Sequence, residues 1–223
     1  MSSSHDADDG WRVRKARQTA TSLADAALKL FASQGYDETT VEEIADAAGV
    51  SRRTFFRYYS SKEELLFLQP ETQRPLLFVS REAFGTALAS ILAEDDAHSD
   101  LGAVGAALIA MSSALETEKQ RLALFTTALA SSAALRGRSS DSIDLTAELI
   151  GDAVAKRRAT SLESGRATGA VAMALYRRAV RNWIATSTKR KLSTFVVEEF
   201  ARAEQMTTPR IGAVNGGRRK HND

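Results

Sequence analysis

The chain has 223 residues, with 30 Lys and Arg against 28 Asp and Glu for a formal charge of +2. That length exceeds a lone DNA-binding module and is short for two independent globular domains, so a small head on a larger body fits it. Cysteine is absent, which excludes disulfides, zinc–thiolate sites and cysteine nucleophiles and accords with a reducing cytoplasm. No apolar run reaches the length of a bilayer span, and the expected location is the cytoplasm.

Residues 1–10 are polar and acidic, unlike a signal peptide, and read as a disordered tail. A basic cluster follows: Arg12, Arg14, Lys15 and Arg17. Leu23, Ala27, Leu30 and Phe31 then recur at helical spacing, which predicts an amphipathic helix over Lys15–Gln34 stopped by Gly35. Thr40 with Glu43 has the spacing of a capping box, and Gly49 is placed for the left-handed turn that ends that helix. Ser51 is positioned to cap a third helix, and Ser61 with Glu64 to box a fourth. Pro70 and Pro75 mark the boundary between a head of residues 11–69 and a body of residues 70–206. In the body, helices are expected over Leu76–Glu94, from Asp100 as cap to Glu116, and over Lys119–Arg136. A turn at Gly137–Ser140 precedes helices at Asp141–Arg158, Leu162–Thr188 and Ser193–Glu204. Residues 207–223 read as a second disordered tail. No strand is expected, so the fold class is all-α: a small N-terminal helix-turn-helix domain followed by a larger helical bundle.

The stretch Thr39–Leu65 carries the function. Small Ala45, then Gly49, then bulky Phe55 is the spacing of two helices crossing closely about a tight turn. Ile44, Ala45 and Ala48 can face Val50, Phe55 and Tyr59, which leaves Ser51, Arg52, Arg53, Thr54, Arg57 and Tyr58 to face outward. A helix so composed suits the major groove, where Arg pairs bidentately with guanine edges. Arg52 and Arg53 are the base readers expected from this pattern, and Thr54 meets a thymine methyl or a phosphate.

Residues 16–65 resemble the DNA-binding head of the TetR family of transcriptional repressors. The resemblance rests on Leu30-Phe31, Gly35-Tyr36, Thr39-Thr40 ahead of Ile44-Ala45, Gly49-Val50-Ser51, the aromatic run and Lys62-Glu63 ahead of Leu65. Phe56 departs from the family in lacking a hydroxyl. The resemblance implies phosphate contacts from Thr40, from Tyr58, and from Lys62 at the start of the fourth helix. The Arg12–Arg17 arm, Arg17 included, is placed to reach the neighbouring minor groove.

A head this small reads few base pairs, so specificity calls for two half-sites of a near-palindromic operator on double-stranded DNA. The resemblance implies a homodimer, with Asp141–Arg158 and Leu162–Thr188 as the candidate interface helices. It also implies a small-molecule effector whose binding releases DNA. Phe84, Met111, Phe125, Met173, Tyr176 and Trp183 are the candidate pocket lining. An enzyme is disfavoured: His5, His98 and His221 have no spaced acidic or nucleophilic partner, no phosphate-cradling loop appears, and no metal or cofactor site is expected. The remaining alternatives are a helical adaptor that does not bind DNA and an activator of the same fold.

Overall fold

The computed structural model describes residues 3–67, 81–94, 99–159 and 161–207; side chains are described from Gly10 onward, except at 81–84, 87, 94, 158, 206 and 207. The Pro70 and Pro75 boundary and residues 208–223 lie outside the described residues. The described residues are all-α: α1 (Ser3–Gln34), α2 (Val41–Ala47), α3 (Arg52–Tyr58), α4 (Glu64–Phe67), α5 (Arg81–Glu94), α6 (Asp100–Glu116), α7 (Lys119–Ser131), α8 (Ala133–Arg158), α9 (Leu162–Ala185) and α10 (Leu192–Thr207).

Helix α1 begins at Ser3 rather than near Lys15. Residues 3–10, expected as a disordered tail, are therefore helical. Their acidic residues precede the basic cluster in sequence, the charge order that a helix dipole favours. The same finding replaces the flexible basic arm with a helical one. Leu23, Ala27 and Phe31, with Ala24 and Leu28 beside them, form its buried stripe. Burying each large apolar side chain stabilises the head by about 1.5–3 kcal/mol. Gly35, at φ +94°, ends the helix as expected.

The chain departs from expectation at one cap in the head, and at one cap and one break in the body. Ser99, not Asp100, caps α6, its hydroxyl accepting the Gly102 amide at 3.0 Å. Glu64 of α4 accepts the amide of Ser60 at 2.7 Å, one residue ahead of the expected Ser61. The turn expected at 137–140 is absent: the chain breaks at Ser132, which is buried and extended, and α8 runs unbroken through Gly137. A side chain from the next helix closes the end of α7. Arg136 Nη1 donates to the carbonyls of Ala130 (2.7 Å) and Leu129 (3.5 Å), serving the free end of α7.

α8 and α9 come into backbone contact at the glycines of α9. A Cβ on Gly169 would lie 2.1 Å from the Ala147 carbonyl oxygen, and one on Gly165 2.3 Å from that of Gly151. This close crossing and the packing of α10 on α6 and α9 make one core, whose members include Val104, Leu108, Ile150, Val154, Tyr176 and Phe195. α7 lies along α1 and joins the body to the head.

Candidate nucleic-acid interface

Local chemistry builds α2 and α3. The Thr40 hydroxyl accepts the Glu43 amide at 3.2 Å while the Glu43 carboxylate accepts the Thr40 amide at 2.8 Å, the reciprocal box expected. The Thr40 amide first, then its hydroxyl, holds the Glu43 carboxyl below the usual carboxylate range. Gly49 takes φ +69°. The Ser51 hydroxyl then caps α3 by accepting the Thr54 amide at 3.1 Å. Ile44, Ala45, Phe55 and Tyr59 are buried, and the Tyr59 hydroxyl donates to the Ala20 carbonyl at 3.3 Å, docking α3 on α1.

These constraints turn Ser51, Arg52, Arg53 and Arg57 to solvent, with Phe56 46% exposed among them. Arg53 has no ion-pair partner among the described residues. Arg52 is paired with Glu42 of α2 at 2.7 Å and lies over the Phe56 ring. Arg57 lies over the Tyr58 ring and donates to its hydroxyl at 3.4 Å. Thr54 is half-buried, its hydroxyl 3.0 Å from that of Ser51. Arg17 is exposed on α1, where it is carried by a helix.

Lys62 differs from expectation. Its ammonium donates to the carbonyls of Tyr36 (2.6 Å), Thr39 (2.8 Å) and Asp37 (3.3 Å) and lies 4.3 Å from the centre of the Tyr36 ring. Three donors meet three acceptors, so in this structure the ammonium clamps the loop between α1 and α2. Burial is the main cause that raises the Tyr36 phenol above its ordinary pKa, ahead of the nearby Glu63 carboxylate.

Of the candidate ligand residues with described side chains, Trp183 borders a concavity of about 280 Å³, and the others line neither that concavity nor the larger groove between α5 and α8. Phe125 packs edge-on against Phe67 of the head, 5.9 Å between centroids. Met173 and Tyr176 are buried in the core and Met111 is half-buried against it; burial raises the Tyr176 phenol pKa. Trp183 is buried, its indole donating to the Arg190 carbonyl at 3.1 Å. The Phe84 side chain lies outside the described residues, as do those of His5, His98 and His221. A groove of about 700 Å³ opens elsewhere, between α5 and α8, with Leu92, Leu145, Leu149 and Arg157 in its walls.

Composition and periodicity pass over the residues that join head to body. Asp25 of α1 meets Arg121 of α7 at 2.9 Å, the Tyr36 amide donates to the Ser131 hydroxyl at 3.1 Å, and Glu63 meets Arg138 of α8 at 3.0 Å. No one-dimensional signal marks these pairs, which lie 75 to 96 positions apart in sequence. The α-helical head, with its capped turn and outward arginines, has the build of a helix-turn-helix domain.

Residues 23–67 match the family of bacterial regulatory proteins, tetR family. The head is 55% identical over 56 residues to the HTH-type transcriptional regulator TcmR of Streptomyces glaucescens, a stretch covering 25% of each chain. The match thus spans about a quarter of that relative's length. In fold, most of the chain is similar to NalD of Pseudomonas aeruginosa, the secondary repressor of the MexAB-OprM multidrug efflux pump: TM-score 0.61, 19% identity, 86% of this chain and 96% of that one. The fatty acid degradation regulator FadR from Bacillus halodurans is similar too, with TM-score 0.52 and 22% identity over 82% of this chain and 93% of that one. The likeness in sequence is confined to the helix-turn-helix head, where the chain is similar to transcriptional regulators of the tetR family.

Proposed function

We propose that the protein is a transcriptional repressor that binds a near-palindromic operator as a homodimer and releases it when a small molecule binds the body. The observation that carries the reading is the outward face of α3: Arg53 is exposed and without an ion-pair partner among the described residues, beside Arg52 and Arg57, on a helix whose other face is buried. Arginines so placed match the acceptor edges of guanine in the major groove. Ser51, Thr40 and Tyr58 stand at the margins of that face, where phosphate contacts belong. Arg17 extends the positive surface along α1.

The homodimer follows from the reach of one head, which covers only a half-site. Large apolar residues stay exposed on α9 (Leu162, Val171) and on α10 (Val197). They favour an interface that includes α10, which the reading of the sequence left out, over one made of α8 and α9 alone. The groove between α5 and α8 is the proposed effector site, since its volume falls in the range of roughly 300–1,000 Å³ typical of small-molecule pockets. The head–body contacts of Arg121, Ser131 and Arg138 are the route by which its occupation would reach the head.

Selection of binding sites from a random duplex pool with the purified protein tests the reading. The expected result is a two-fold symmetric consensus whose affinity falls steeply with salt. Recovery of no consensus would overturn it in favour of a helical adaptor.

A further inference from the structure

The body has two ends. At one, Arg157 of α8 donates to the Leu92 carbonyl (3.1 Å) and to Asp100 (3.1 Å), tying together α5, α6 and α8. At the other, Glu116 at the end of α6 accepts from the amide and hydroxyl of Ser193 (3.4 and 3.3 Å), and Lys119 of α7 donates to the Thr186 carbonyl (2.8 Å). The 17 residues of α6 separate these ends by about 25 Å at 1.5 Å per residue. The second end is the one joined to the head near the start of α7, because Arg121, close to Lys119, meets Asp25 of α1.

On that head-side end, residues 186–191 connect α9 to α10 with the sequence Thr-Ser-Thr-Lys-Arg-Lys. They border a concavity of about 280 Å³ that brings Lys119, Lys189, Arg190 and Lys191 around a single carboxylate, Glu116. The loop is held in place. The Trp183 indole donates to the Arg190 carbonyl (3.1 Å), the Arg190 amide donates to the Thr188 hydroxyl (2.9 Å), and the Arg190 guanidinium pairs with Glu198 and lies over the Phe195 ring. Glu116 is occupied by Ser193, and Lys119 by the Thr186 carbonyl and the Trp183 ring. Lys189 and Lys191 are left exposed, with no ion-pair partner among the described residues.

Two exposed ammonium groups two positions apart on a fixed loop make a local positive surface that attracts a polyanion. Along α1, Arg17 is eight residues before Asp25, about 12 Å towards the basic start of that helix. We propose that Lys189 and Lys191 form a second, sequence-independent DNA contact, a body-borne grip on backbone phosphates of the duplex held by the head. It rests on the DNA-binding reading above. A duplex suits the site better than a small phosphorylated ligand, because both lysines are exposed rather than enclosed and stand at the end of the body that is joined to the head.

The test is a Lys189→Gln/Lys191→Gln double variant, which removes both charges and leaves Arg190 and its contacts intact. Binding to the selected operator and to a scrambled duplex of equal length is followed by fluorescence anisotropy across a range of salt. Equal thermal melting of variant and wild type shows that the fold is kept. The expected result is a loss of affinity by the same factor on both duplexes. The salt slope becomes shallower by about 0.9 for each lost contact, about 1.8 per protomer and about 3.6 for the homodimer, with the consensus unchanged. An unchanged slope would overturn the proposal. Quenching of wild-type tryptophan fluorescence by pyrophosphate that the variant loses, while its DNA slope stays at the wild-type value, would reassign the loop to a small anionic ligand. If the wild type binds neither duplex, the DNA-binding reading itself fails, a result distinct from a failure confined to the variant.

Discussion

Lys62 and Tyr36 are joined twice: the ammonium donates to the Tyr36 carbonyl at 2.6 Å and lies 4.3 Å from the centre of its ring. With Thr39 and Asp37 supplying further carbonyls, one side chain from the start of the fourth helical segment closes the loop between α1 and α2. The recognition helix is therefore aimed partly by a residue that sits outside it.

A clamp and a phosphate contact make different predictions for Lys62→Ala. Loss of charge-assisted hydrogen bonds at a half-buried site is expected to destabilise the head by about 2 kcal/mol. DNA affinity falls with it, but the salt slope stays near the wild-type value, whereas loss of a phosphate contact would lower it by about 0.9 per protomer. Lys62→Arg does not rescue, because a planar fork cannot meet three converging carbonyls. Thermal melting together with a salt titration of DNA binding separates the two roles.

Arg52 and Arg53 are adjacent but not equivalent. Arg52 is tethered to Glu42, an exposed pair worth about 0–1 kcal/mol to stability, while Arg53 carries no such tether. Replacing either by Ala is expected to cost about 1–3 kcal/mol at one base step and to relax the consensus there. Glu42→Gln is expected to tighten binding, since it frees Arg52 and removes a carboxylate from the phosphate-facing side. Weaker binding by Glu42→Gln in an anisotropy titration would show that the tether positions Arg52 for readout.

The Thr40–Glu43 box predicts a pH dependence. The folded state holds the Glu43 carboxyl below its ordinary pKa, chiefly through the Thr40 amide. Its contribution is then present above the unfolded carboxylate value and is lost as pH falls through the folded one. The start of α2 is expected to loosen in acid ahead of the body. Amide exchange at Glu43, whose N–H donates to the Thr40 hydroxyl, reads this directly, and Glu43→Gln, which removes the titrating carboxyl, should abolish the difference between neutral and acidic pH.

The head was legible in the sequence because its determinants are local. Thr40 with Glu43, Ser51 with Thr54, and Gly35 and Gly49 at left-handed positions act within four residues of themselves, and the caps and turns stand where those residues predict. What escaped notice is non-local. The clamp of Lys62 spans 26 positions to Tyr36, and at the break at Ser132 Arg136 folds back onto the end of α7. Gly137 reads as a turn residue, yet nothing lies within 4 Å of the place its Cβ would take, so the structure makes no use of its lack of a side chain. Phe125, Met173 and Tyr176 have the composition of a pocket wall, but helical periodicity cannot tell a wall from a core. Only the crossing of α8 with α9 and the docking of Phe67 show them to be core.

Glycines of the same helical bundle should respond in opposite directions to one added methyl. At Gly169 a Cβ would meet the Ala147 carbonyl oxygen at 2.1 Å and the Gly151 amide nitrogen at 3.0 Å. Both are backbone atoms, which cannot rotate aside, so α9 would have to move off α8. Overpacking of this kind costs about 1–3 kcal/mol and here outweighs the gain of about 1 kcal/mol that Ala has over Gly in a helix. At Gly137 no atom stands in the way, and only the propensity gain remains. Denaturant unfolding should therefore show a lowered midpoint for Gly169→Ala and a raised one for Gly137→Ala, with similar m-values. A raised midpoint for Gly169→Ala would mean that α8 and α9 are not in backbone contact, and that the face α9 presents to a second subunit is set differently.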